Sequence, residues 1–77
     1  MTVTGPSTTL ASGGSTAINF SYSVPSGYIA IGIIGYYTGA VSVFPLRIAN
    51  KRMDVRNVAT TENTFTPTLT VLLMKSL

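Results

Sequence analysis

The sequence predicts an all-β domain, a small antiparallel β-sandwich or jelly-roll-like barrel of about six strands, and three observations predict it. Serine and threonine number 20 and valine and isoleucine 13 of the 77 residues, mostly in short alternating runs, and β-branched residues at period two favour strands. Gly, Pro or Asn breaks these runs about every 8–12 residues, the strand spacing of small sandwiches and barrels. No window of turn-free sequence carries the 3.6-residue apolar repeat of a helix in good helix formers.

The first predicted strand, Ser7 to Ala11, follows the Gly5-Pro6 break and leads into Ser12-Gly13-Gly14-Ser15, where paired glycines suit a tight turn. Thr16 to Val24 alternates with Ile18, Phe20, Tyr22 and Val24 on one side and Asn19, Ser21 and Ser23 on the other, so one face is buried and one is polar. Pro25-Ser26-Gly27 is the next turn, with proline setting φ at its first corner. Tyr28 to Tyr37 is apolar on both alternating faces: Ile29, Ile31 and Ile33 on one, Tyr28, Ala30, Ile34 and Tyr36 on the other. A strand buried on both sides has this pattern; in a two-layer domain the second face needs a cover, which a neighbouring subunit could supply. Gly32 and Gly35 within it suit a bulge or the close approach of another backbone.

Thr38-Gly39 turns the chain into Ala40 to Ala49, which Pro45 places at a sheet edge. After Asn50-Lys51, the strand Arg52 to Ala59 sets Met53 and Val55 against Arg52, Asp54 and Arg56. A loop at 60–63 precedes the last predicted strand, Phe65 to Met74, with Phe65, Pro67, Leu69, Val71 and Leu73 on its apolar side.

Size and composition narrow the function. A chain of 8.1 kDa holds one domain spanning 1–77, without room for separate cofactor and substrate folds. It has no histidine, no cysteine and only two carboxylate side chains, Asp54 and Glu62. No metal ligand set, no cofactor and no catalytic activity are therefore expected. Asp54 flanked by Arg52 and Arg56 at i±2 reads as a charge ladder on a solvated strand face, not as half of a catalytic pair. Domains this small seldom gain more than about 3–5 kcal/mol from one core and normally add a disulfide, a metal or a partner chain. Without the first two, oligomerisation remains. The apolar content, 45% against 9% charged with a mean hydropathy of +0.42, also calls for covered surface. The longest apolar run, ten residues at Tyr28 to Tyr37, is half what a spanning helix needs, and the N-terminus lacks the pattern of a signal peptide. A cytoplasmic chain or a piece of a longer protein fits these features.

The candidate subunit-interface residues are Tyr28, Ala30, Gly32 and Ile34. Tyr36, Tyr37, Lys51 and Arg52 are the candidates for contact with a glycan or an anionic polymer, because exposed tyrosines stack on sugar rings and cations track anions. Arg47, Lys51, Arg52 and Arg56 fall within ten positions. The net charge is nevertheless only +3, and the aromatic strand signatures of RNA-binding modules are absent, which disfavours nucleic acid.

The segment Val24-Pro25-Ser26-Gly27-Tyr28, followed by the glycine-containing apolar strand to Gly39, resembles a pattern of C-terminal domains in bacteriophage and prophage tail fibre, baseplate and appendage proteins. Asn50-Lys51 and the closing run Thr68-Leu69-Thr70-Val71-Leu72-Leu73 occupy the matching later places, so the resemblance covers about Ser15 to Met74. It implies a terminal fragment of a longer virion protein, a compact and usually trimeric β-knob, in some cases in contact with host-surface glycans. It transfers no binding residue. The expected function is thus a structural virion component; a monomeric carbohydrate-binding module and a small single-stranded nucleic-acid-binding barrel are the alternatives.

Overall fold

The computed structural model describes residues 1–76, which form eight strands and no helix. These are β1 (Thr2–Thr4), β2 (Thr8–Leu10), β3 (Ser15–Asn19), β4 (Tyr28–Tyr37), β5 (Val43–Ala49), β6 (Arg52–Asn57), β7 (Asn63–Phe65) and β8 (Thr68–Lys75). All pairings are antiparallel. A long sheet has the order β1-β8-β4, a second sheet the order β3-β6-β5, and β2 pairs with β7.

The all-β, sandwich-like class stands, with eight strands where the sequence suggested about six. The last predicted strand divides at Pro67, which is buried and whose carbonyl accepts the Gly5 amide at 2.8 Å; proline has no N–H to continue a ladder. Thr2–Thr4, missed in the sequence, pairs with Thr68–Thr70 as the edge strand β1. The predicted strand from Thr16 to Val24 stops at Asn19, which is paired with Arg52 at the start of β6. Beyond it Phe20 still donates its amide to the Lys51 carbonyl at 2.9 Å and fills the core without belonging to a strand. Pro45 lies in β5, an edge strand as expected, beside a register shift at Leu46.

The sheets share one core. Val3, Leu69 and Val71 enter it from the long sheet, Ile18, Val43, Met53 and Val55 from the second, and Leu10 and Phe65 from β2 and β7. The alternation in β6 shows why: Met53, Val55 and Asn57 are buried while Arg52 and Arg56 are exposed. Gly39 holds the turn after β4 against the joint between β7 and β8. Its φ is +95°, and a Cβ there would lie 2.6 Å from the Thr66 carbonyl oxygen, so no side chain fits.

Strand β4 departs most from the sequence reading. Register shifts between Ala30 and Gly32 and between Ile33 and Gly35 leave Ile31 and Ile34 as extra residues opposite β8. Each bulge adds one residue, so the positions facing the core-lining Leu73, Val71 and Leu69 of β8 are Ala30, Ile33 and Tyr36, three apart instead of two. Ala30 and Ile33 pack against the core, and Tyr36 reaches past it into solvent. The strict alternation of Ile29, Ile31 and Ile33 against Tyr28, Ala30, Ile34 and Tyr36 does not hold.

The molecule is elongated, 50 × 17 × 16 Å, with a radius of gyration of 13.7 Å, where a compact domain of this length has about 11–12 Å. One polar side chain is central to it. Asn57 is fully buried at the end of β6, and its side-chain amide donates to the carbonyls of Leu10, Ala11 and Thr61 at 3.1, 3.3 and 3.1 Å while its Oδ1 accepts the Ala59 amide at 3.1 Å. Its backbone exchanges hydrogen bonds with Gly13 and Gly14. Asn57→Ala leaves those groups without partners, each costing about 1–3 kcal/mol when buried, although loop water reaches some of them. The expected loss is about 2–4 kcal/mol, read as a lower urea midpoint with an unchanged slope.

Candidate self-association face

Because cross-strand partners share a face, register assigns the outer surface of the long sheet. Thr68, Thr70, Leu72 and Met74 of β8 are opposed there by Tyr37, Gly35, Gly32 and Ile29 of β4, and Thr2 and Thr4 of β1 complete it. The two bulge residues stand exposed beside them, Ile31 at 53% and Ile34 at 62%. Ile29, Leu72 and Met74 are also exposed, so five aliphatic side chains form one surface at one end of the sheet. Threonines occupy the other end. Gly32 has open space where a Cβ would be, which leaves a shallow notch among the isoleucines.

Of the predicted interface residues, Gly32 and Ile34 lie on this surface. Ala30 does not: the bulge at Ile31 turns it into the core. Tyr28 shares the face of Ala30 and Leu73 by register, beyond the core and exposed. Ile29, Ile31, Leu72 and Met74 were not singled out in the sequence, and the signal for them is the repeated Ile-Gly pair at 31–32 and 34–35, each pair marking a bulge.

The predicted ligand contacts are divided between two sheets. Tyr36 and Tyr37 end β4 on opposite faces of the long sheet, paired with Leu69 and Thr68, and both are exposed. Lys51 occupies the β5–β6 turn with a φ of 61°, its ammonium 4.9 Å above the ring of Tyr22. The Tyr22 hydroxyl donates to Asn50 Oδ1 at 2.6 Å. Arg52 Nε donates to Asp54 Oδ1 at 2.8 Å. These four residues do not form one site.

Among the described residues there is no cavity, no group of three potential metal ligands, and no helix long and apolar enough to cross a membrane. Neither protein-family models nor curated proteins nor solved structures match the chain.

The Arg52–Asp54 ion pair is half-exposed on its arginine side, and such pairs contribute about 0–1 kcal/mol. Arg56 is exposed without an ion-pair partner among the described residues. Replacing both Arg52 and Arg56 with serine should move the melting temperature by no more than about 4 °C, measured by circular dichroism; a large drop would show that they brace the sheet.

Proposed function

We propose that the protein is a structural, self-associating β-module, a trimeric terminal knob of a phage fibre or baseplate protein, and that the outer face of the long sheet is its subunit interface. The observation that carries this reading is the exposed cluster of Ile29, Ile31, Ile34, Leu72 and Met74 on one sheet face. Soluble monomers rarely leave contiguous apolar surface of several hundred Å² uncovered. Covering a half-exposed aliphatic side chain contributes about 1 kcal/mol, so five of them per subunit match the few kcal/mol that a core of this size supplies.

Two further features support the reading. β4 is the edge of its sheet and carries no charge or proline along ten residues, so its two bulges alone guard that edge against strand addition and the apolar face is the surface left for association. The sequence resemblance to phage appendage domains supplies the threefold symmetry and the virion setting.

The test is absolute mass by light scattering coupled to size exclusion, at micromolar concentration and two salt strengths. The expected mass is about three times 8.1 kDa at both. Ile34→Asp puts a charge on a bulge residue that touches no core, so its expected result is a folded 8.1 kDa monomer. A monomeric wild type, or an assembly indifferent to Ile34→Asp, would overturn the assignment.

A further inference from the structure

The second sheet carries on its outer face a charge arrangement that self-association does not use. Register across β3-β6-β5 sets Asn19, Arg52 and Ala49 in one row, Ala17, Asp54 and Arg47 in the next, and Ser15, Arg56 and Phe44 in the third. Lys51 lies at the adjoining turn. Four of the five basic side chains and one of the two acidic ones are therefore on this sheet and its hairpin, while Lys75 and Glu62 cancel elsewhere. The whole formal charge of +3 resides here.

The arginines are open to a ligand. Arg47, Arg52 and Arg56 are exposed, and the β3 residues in the same rows, Ser15, Ala17 and Asn19, are too short to cover them. Arg52 and Arg56 are four residues apart on β6, about 13 Å, and Arg47 stands on the neighbouring strand between them. The three cations thus zigzag along the sheet at roughly 8 Å steps. Among the described residues only Arg52 has a carboxylate partner. Guanidinium forks suit phosphate, and a tetrahedral phosphate offers oxygens to two strands at once, which a planar carboxylate does not.

We propose that the outer face of the β3-β6-β5 sheet binds a linear, phosphate-bearing polymer laid along β6, with Arg47, Arg52 and Arg56 as the contacts. The polymer is base-free. Single-stranded nucleic acid is held by successive exposed aromatic rings, and this face offers Phe44 alone, the Tyr22 ring being occupied by Lys51. Leu46, exposed at its register shift beside Arg47, supplies apolar contact for the linking carbons.

The test is titration of the full chain with short-chain inorganic polyphosphate, followed by calorimetry at several salt concentrations, alongside an oligothymidylate of equal phosphate number. Binding should weaken with salt at a slope of about −2 on logarithmic axes, as three phosphate contacts require. The double variant Arg47→Ser with Arg56→Ser should bind roughly 10- to 50-fold more weakly with a shallower slope. Its assembly mass should be unchanged, which separates this proposal from the interface on the long sheet. Asp54→Asn, which frees the Arg52 fork, should tighten binding roughly threefold. No binding of polyphosphate at low salt, equal affinity in the double variant, or weaker binding in Asp54→Asn would overturn the site; tighter binding of oligothymidylate would overturn the base-free ligand.

Discussion

The fold depends on one buried amide. Asn57 ends β6 where the end of β2, the β2–β3 turn and the loop before β7 converge. Backbone carbonyls buried without partners are costly, and the two amide hydrogens of Asn57 are shared among three carbonyls, the buried one of Leu10 among them, while its Oδ1 accepts one amide. Aspartate would offer no donor and leucine neither donor nor acceptor. The second sheet is thereby joined to the β2-β7 pair through polar bonds that add to the shared apolar core of Leu10 and Phe65 with Ile18, Val43, Met53 and Val55.

That slenderness explains the apolar surface. A body 17 × 16 Å across is little thicker than two sheets about 10 Å apart, so each sheet has one inner face and no third layer covers the other. On the second sheet the outer face carries three arginines, Asp54, Ser15 and Asn19 with only Ala17, Ala49 and Phe44 as apolar members, and solvent stabilises its charged groups. On the long sheet one end of it is threonine and the other isoleucine, leucine and methionine, which solvent does not stabilise. The same architecture thus leaves one face suited to water and ions and one suited to another protein surface.

Much of the fold was legible because its signals are local. Strand β6 could be read from the alternation of Met53 and Val55 with Arg52, Asp54 and Arg56, and the edge position of β5 from Pro45. What escaped was set by partners distant in sequence. Thr2–Thr4 is too short and polar to mark a strand until β8 lies beside it, and the break at Pro67 depends on Gly5 reaching its carbonyl. The candidate faces were half legible for the same reason. Two bulges shift the inward positions of β4 to every third residue, so strict alternation assigned Ala30 to the interface and passed over Ile29 and Ile31.

The bulges also constrain how β4 meets another chain. A flat, regular edge of ten uncharged residues would accept a further strand in any register, which is a route to open-ended aggregation. Two extra residues three positions apart twist the edge and interrupt its ladder, so continuous pairing with an unbulged strand is blocked. They also raise Ile31 and Ile34 from the outer face, next to the notch at Gly32. Edge pairing is thus disfavoured, and the apolar outer face is the surface left for the proposed contact between subunits, which closes into a discrete assembly when its symmetry closes. In the proposed assembly, the residues that broke the predicted alternation would therefore be the ones that disfavour edge pairing and leave the face for contact.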